Sequence, residues 1–538
     1  MLKQFLFIGV GFLAVAVGLQ YAAGAYHSEF GGYPDEAAHY VTGLMVHDYA
    51  LSGFSQPPVA FAENYYLHYP RVSLGHWPPF FYLVQTAWSL LFSVSRTSLL
   101  LLMAVVSSLL ALTLWRALRK DFGDSGGIAA GLLLLALPLV QIHTAMVMAE
   151  MVLTLTCFWA VLAYGRFFDT GRTRDAALFG LLASCAILTK GTGMALALLP
   201  VIVVLISRRF GLLRRWSFWL PAFIVLVLAG SWYLLMLHVV SDRESAHVYL
   251  STPLETWQEK AWQLHQIAGW ALGALALAGF ITKMWSLIQA DAPRGKWLAA
   301  GAWLLSSLIF QLFEARTSEA RHVLPIAPVW LMFAAASLAW LRSKLPRLAQ
   351  LAAAAAALLF LVECFPVPGK DYYGYQEIAQ DLLDHRLVSG RVWMVSSDAA
   401  GQGMFISEVA MRERRPGHFV LRADQLQNRR SRNQAPAFQS TGEWLNYLSA
   451  VPVSILVLDA SPRLKDQRRD QLMEMVRTFP DRWTLVGSYP QRRPAGVPGT
   501  RLLVYRANAV GDESALKFRI DMQPNLGRYL EAGPSTIK

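Results

Sequence analysis

Long apolar stretches, broken by short polar connections, fill the first two thirds of the chain. Those near the 17 to 25 residues that a spanning helix needs cover roughly 4–25, 97–117, 126–143, 151–168, 175–189, 191–207, 216–239, 264–288, 297–313, 322–341 and 346–364, eleven candidates in all. The first could be a signal peptide, with Ala22, Ala23 and Ala25 as a small-residue exit. Ten further runs make an uncleaved span the preferred reading.

After about 365 the pattern changes. Charged residues return, and the apolar runs shorten to strand length at 391–397, 453–459, 483–487 and 501–505, with helical periodicity at 401–413, 441–450 and 462–478 between them. The order is β-α-β-α-β with a closing hairpin. The sequence therefore predicts a polytopic α-helical membrane region, 1–365, and a small α/β domain, 366–538. Asp398-Ala-Ala-Gly-Gln-Gly lacks the GxGxxG spacing of a phosphate turn and reads as a strand-to-helix connection.

Composition agrees with a membrane chain. Only 16% of the 538 residues are charged and 55% are hydrophobic, against about a quarter charged in soluble domains. The formal charge of +12 sits mainly in loops, so it is a topology signal rather than a nucleic-acid footprint. Arg116/Arg119/Lys120, Arg166/Arg172/Arg174, Arg208/Arg209/Arg214/Arg215, Lys283/Arg294/Lys296 and Arg342/Lys344/Arg347 fall on alternate connections. With Lys3 they mark the cytoplasmic face. Connections 26–96, 144–150, 189–191, 240–263 and 314–321 then face outward, as does the tail. His76-Trp77-Pro-Pro through Phe92 would upset this parity as a full span, and it is read as a juxtamembrane or re-entrant helix of the first outer loop. Cys157, Cys185 and Cys364 lie inside apolar runs without metal or disulfide spacing and read as packing residues.

Ionisable groups at a membrane are costly and so mark candidate function. The first outer loop carries Gly31-Gly-Tyr-Pro34-Asp35-Glu36-Ala-Ala-His39. If a helix starts at Pro34, both carboxylates fall where its dipole favours negative charge. Adjacent residues diverge by about 100° on a helix, which argues against Asp35, Glu36 and His39 sharing one metal ion. No obligatory metal is expected, although a divalent ion remains chemically possible. Tyr33, Tyr40, Tyr65, Tyr66, Tyr69 and Trp77 suit sugar stacking or an interfacial belt, with the belt the simpler reading.

In order along the chain, Asp35-Glu36, His76-Trp-Pro-Pro79, Glu150, Leu188-Thr-Lys190-Gly191 and Arg321-His322-Val-Leu-Pro325-Ile-Ala-Pro328 resemble the motifs of lipid-linked-sugar glycosyltransferases of the GT-C fold. The likeness is to glycosyltransferase family 39, which includes protein O-mannosyltransferases and lipid A aminoarabinose transferases. Trp77 interrupts the usual His-Pro-Pro, and Glu150 stands where relatives often carry Asp.

The resemblance implies a sugar donor on a polyprenyl phosphate, transferred to a protein, glycolipid or polysaccharide outside a cell membrane, the bacterial inner membrane being the preferred location. It implies Asp35 as general base, with Glu36 orienting the acceptor or pairing a cation. Arg71, Lys190, Arg316, Arg321 and His322 are the available partners for the donor phosphate, with His76 and Glu150 completing the expected substrate site. Lys190 could instead snorkel outward, Arg321 could pair with Glu314 or Glu319, and Glu150 could be a solvated helix start. A transporter or flippase for lipid-linked sugars, and a polysaccharide polymerase or ligase, are the competing functions.

Overall fold

A computed structural model describes residues 2–236, 253–289, 295–313, 319–364, 367–384, 390–426, 438–462, 466–492, 499–512, 514, 516–522 and 527–533. All eleven apolar stretches form helices over most of their described length, and among the described residues six helices are long and apolar enough to cross a membrane by length and composition. Two segments that look continuous are bent pairs. Arg96–Ala136 turns at Gly123 (φ 76°) and Pro253–Gln289 at Gly269 (φ 72°), left-handed conformations that glycine adopts without steric cost. The polar stretch Arg119–Asp124 between two expected spans is thus a sharp bend and not a loop. Helices approach closely where side chains are small, as membrane packing favours. A Cβ on Gly295 would lie 2.1 Å from the Gly165 carbonyl oxygen, and the Gly295 amide instead donates to Asp169 Oδ1 at 2.7 Å.

Between the first two spans lie three shorter helices, Pro34–Leu51, Pro58–His68 and Phe80–Leu91. The last has 12 residues, about 18 Å at 1.5 Å per residue, against a hydrocarbon core of about 30 Å. Its amphipathy is reversed. Gln85, Thr86 and Ser89 are buried against the protein, while Leu83, Leu90 and Leu91 are exposed.

The C-terminal domain holds a five-stranded sheet of order β2-β1-β3-β5-β4, with β1 Val392–Ser396, β2 Phe419–Arg422, β3 Val453–Asp459, β4 Trp483–Pro490 and β5 Arg501–Ala507. β2, β1 and β3 are parallel, with Val392 opposite both Phe419 and Val453. β5 runs antiparallel to β3 and to β4, closing the expected hairpin. All seven residues of β3 are buried, the continuous apolar run of a strand covered on both faces. The four-residue β2 was not anticipated, nor was the separate hairpin of β6 Phe518–Asp521 and β7 Tyr529–Ala532. Asp398 accepts a hydrogen bond from the Gly401 amide at 2.8 Å and N-caps helix Ala399–Arg412, so the Asp398 segment is a strand-to-helix turn.

The two parts meet through a polar seam. Helix Ala399–Arg412 lies on helix Pro34–Leu51, with Gly403 close enough to Ala37 that an added Cβ would stand 2.9 Å from it. Arg415 donates to both Asp48 oxygens at 2.7 and 3.1 Å, and the Tyr69 hydroxyl donates to Glu413 at 2.6 Å. Buried Arg96 pairs with buried Glu408. Glu29 accepts from the amides of Tyr373, Gly374 and Gln376 at 2.9, 2.8 and 3.1 Å.

His68 Nδ1 donates to the carbonyls of Gly417 and His418 at 3.1 and 3.3 Å while its ring stacks on Phe419. Burial holds this imidazole down to about 4 from its ordinary 6.5. The unfolded chain therefore takes up a proton below about pH 6.5 that the folded chain refuses until about pH 4. Stability contributed by neutral His68 is complete above that window and is lost as pH falls through it. The thermal midpoint should decline from pH 6.5 to 4, and His68→Gln should flatten part of that slope; an identical slope in the variant would remove His68 as a cause.

Candidate functional site

Helix Pro34–Leu51 begins as its sequence dictates. Pro34 occupies the first helical position, where the missing N–H is no loss, and Asp35 and Glu36 lie in the first turn. Their side chains then part. Asp35 Oδ2 accepts from Arg321 Nη2 at 3.0 Å with its side chain 38% exposed. Glu36 is wholly buried on the other side, with Lys370 Nζ at 2.6 Å and the amides of Gly32 and Val147 at 2.9 and 3.0 Å. Glu36 therefore faces Lys370, away from Arg321 and Asp35.

A second carboxylate gathers two cations. Glu150 starts helix Glu150–Thr170, where the dipole favours an anion. Its Oε1 accepts from Lys190 Nζ at 2.8 Å and lies 3.9 Å from Arg321 Nη1. Lys190 sits in an extended break between helix Thr173–Ile187 and the 3-10 turn Gly191–Ala197, which directs its side chain inward to Glu150. The result is a chain Lys190–Glu150–Arg321–Asp35. Its accessibility rises from Glu150, 1% exposed, through Arg321 at 11%, to Asp35. Arg321 also pairs with Glu319, and His322 Nε2 stands 3.8 Å from that same carboxylate.

Aromatic rings wall this network. Arg321 lies over the Tyr33 ring at 4.8 Å, and Tyr33 stacks on His143 at 5.7 Å. His39 donates to or accepts from the Tyr82 hydroxyl at 2.8 Å and stacks on Trp77 at 4.1 Å. Burial pushes the His39 imidazole down to about 4, so it is neutral near pH 7. Trp77, the residue that interrupts the His-Pro-Pro pattern, therefore takes the stacking position on His39. His76 packs edge-on against Trp77 at 5.4 Å.

Asp35, Glu150, Lys190 and Arg321, with His322 beside them, converge. Glu36 and Arg71 do not: Arg71 donates to the Ala399 carbonyl at the seam with the C-terminal domain. Arg316 and Glu314 lie outside the described residues. Among the described residues no three His, Cys, Asp or Glu side chains are grouped to hold a metal. His143 escaped the sequence reading because it lies in an apolar run. It is fully buried, with neither ring nitrogen hydrogen-bonded among the described residues. Lys260, also buried, lies 3.2 Å from Gln263 Oε1 and 3.5 Å from Gln311 Oε1, and Gln311 Nε2 donates to the His322 carbonyl at 2.9 Å. It too sits in a segment that carried no motif.

The family described as dolichyl-phosphate-mannose-protein mannosyltransferase matches residues 76–233, the segment that carries His76, Glu150 and Lys190. ArnT from Cupriavidus metallidurans bound to undecaprenyl phosphate superposes with a TM-score of 0.55 at 17% identity, covering 94% of this chain and 98% of that one. This is the GT-C fold. The GT-C architecture extends to the archaeal oligosaccharyltransferase AglB from Archaeoglobus fulgidus, in complex with an inhibitory peptide and a dolichol-phosphate. That match has a TM-score of 0.53 at 13% identity and covers 92% of this chain and 74% of that one. The mycobacterial arabinofuranosyltransferase AftD matches with a TM-score of 0.51 at 16% identity, over 96% of this chain and 42% of that one. No curated protein matches the chain. The GT-C fold is the one the sequence motifs led one to expect, and the C-terminal α/β domain the one its short apolar runs and helical periodicity predicted.

Proposed function

We propose that the chain is a membrane glycosyltransferase that moves a sugar from a polyprenyl-phosphate donor to an acceptor hydroxyl or amine on the extracytoplasmic face. The observation that carries this reading is an accessible carboxylate, Asp35, joined through Arg321 and Glu150 to Lys190. Solved structures of this fold carry undecaprenyl phosphate or a dolichol-phosphate, which supports a lipid phosphate as the ligand of the two cations. The alternation of positive clusters supports an outward-facing site, with the N-terminus cytoplasmic, and compact loops favour a bacterial inner membrane.

The chemistry follows from charge. A lipid phosphate beside Lys190 and Arg321 gains charge-assisted hydrogen bonds in a region of low dielectric. It also competes with Asp35 for Arg321, freeing the carboxylate. The acceptor oxygen or nitrogen then attacks the anomeric carbon as Asp35 takes its proton. The bond from that carbon to the phosphate oxygen breaks, and its electron pair leaves with the polyprenyl phosphate, whose charge the cations stabilise. Inversion at the anomeric carbon follows by analogy with the resembling family. His39 and His143, both buried, back Trp77 and Tyr33 and hold those rings in place beside the network. A transporter would place its polar groups along a path through the spans, whereas Asp35, Lys190 and Arg321 gather at the end of the helical bundle that carries the C-terminal domain.

Mass analysis of cell-envelope glycans and glycoproteins from cells with and without the gene product tests the function. The expected difference is one sugar residue per acceptor. Loss of whole chains would favour the polymerase or ligase reading, and unchanged glycans with no transfer from labelled lipid donor would remove the proposal. Lys190→Ala and Arg321→Ala should each weaken undecaprenyl phosphate binding about 10- to 100-fold, from the roughly 1.5–3 kcal/mol of a hydrogen bond to a charged group. Unchanged affinity in both would rule out the phosphate clamp.

A further inference from the structure

Glu36 lies next to Asp35 in sequence yet is 0% exposed, and its partner Lys370 is 1% exposed. Two charges withdrawn from water this far persist only as a pair with further hydrogen bonds. Here both conditions are met. Glu36 Oε1 takes the Lys370 ammonium at 2.6 Å and the Val147 amide at 3.0 Å, and Oε2 takes the Gly32 amide at 2.9 Å. The Lys370 backbone is tied as well: its amide donates to the Ala23 carbonyl at 2.9 Å, and its carbonyl accepts from Ser28 Oγ at 3.4 Å.

The Glu36–Lys370 pair thus fastens four pieces of chain: the end of the first helix, the loop that precedes Asp35, the turn that precedes Glu150, and the segment that leads into the C-terminal domain. Val147 is three residues ahead of Glu150 and Gly32 three ahead of Asp35. The ion pair therefore fixes both carboxylates of the proposed site from behind. The other charged groups about it already have partners. Glu29 accepts the three amides of 373, 374 and 376, and Arg96 pairs with Glu408 and Gln376 across the Phe30 ring that Lys370 also faces.

We propose that Lys370 is a positioning residue for Asp35, acting through Glu36, so that the segment entering the C-terminal domain is a working part of the transferase site. This rests on the reading of Asp35 as the acceptor-activating base. It assigns the tail a role at the site without contact with substrate.

The test compares full-length Lys370→Met, Glu36→Gln and the double variant for kcat, donor KM and the pH dependence of kcat. Each single variant should lower kcat about 10- to 100-fold, the cost of misplacing a reacting group by about an ångström, with donor KM within about twofold of wild type. The acid limb of the profile should move in opposite directions. Lys370→Met leaves the Glu36 anion beside Asp35 uncompensated, raising the pH at which activity is lost. Glu36→Gln leaves the Lys370 cation and lowers it. The double variant, in which neither charge is stranded, should return the limb toward wild type and recover kcat at least severalfold over Lys370→Met.

A purely architectural pair would lower kcat in the singles but leave the acid limb in place, and that result overturns the proposal. If Lys370→Met does not accumulate, Glu36→Gln and the double variant still give the direction of the shift. Asp35→Asn separates the two readings. Full turnover in that variant discards the base assignment itself, whereas an inactive Asp35→Asn with unaltered Lys370 and Glu36 variants discards only the positioning role.

Discussion

Replacing Asp35 by Asn is expected to lower kcat about 10²- to 10⁴-fold, the usual contribution of a general base, while the protein still inserts and melts as wild type does. The amide fills the same volume and its oxygen can still accept from Arg321 Nη2, now at 3.0 Å from the carboxylate. The ability to take a proton is lost together with one negative charge, which Glu319 and Glu150 still offset at Arg321. Because Asp35 is more exposed than Glu150, Lys190 or Arg321, and Arg321 keeps Glu319 as a partner, the change strands no deeply buried charge. Single-turnover transfer from a radiolabelled lipid donor, with donor binding measured separately, checks the expectation. Wild-type turnover in Asp35→Asn would exclude this residue as the base.

Glu150→Gln should act in the opposite way, on stability first. Its carboxylate is 1% exposed and faces Lys190 at 2.8 Å and Arg321 at 3.9 Å. Neutralising it leaves two cations facing each other without their shared anion. Removing one partner of a buried pair typically costs about 3–5 kcal/mol, visible as a markedly lower thermal midpoint in detergent. If the donor phosphate binds these same cations, undecaprenyl phosphate should restore more of the midpoint in Glu150→Gln than it adds to wild type, since a ligand stabilises in proportion to its binding. Equal increments in both proteins would place the lipid phosphate elsewhere.

The membrane region was legible because its signal is local and repeated. Each apolar stretch carries its own length and flanking charge, and no distant contact is needed to read it. The bends were less so, since a polar run such as Arg119–Asp124 looks like a loop until Gly123 shows its left-handed backbone. In the C-terminal domain the buried seven-residue β3 announced itself, whereas β2, β6 and β7, four residues each, are too short to show a period.

The site divides in the same way. Asp35, Glu150, Lys190 and Arg321 stand out as charges at the ends of apolar runs, and they converge. What separates Asp35 from Glu36 is a lysine 334 positions later, which no local pattern encodes. His143 is a polar residue inside an apolar run, and sequence cannot distinguish a satisfied core histidine from one whose nitrogens have no partner. Arg71 looked like a phosphate ligand by its side of the membrane, but the Ala399 carbonyl claims it.

The reversed helix Phe80–Leu91 sets a level. Its exposed leucines suit hydrocarbon, and its first amide donates to the Leu188 carbonyl at 2.9 Å, two residues from Lys190. With this helix juxtamembrane, as its sequence suggests, that hydrogen bond would tie the height of the lysine to the lipid surface. A donor whose tail lies in the membrane arrives with its phosphate at a depth fixed by that same surface. On the proposed function, the lysine and the donor phosphate are thus gauged from one reference plane, and depth drops out of the search for the donor.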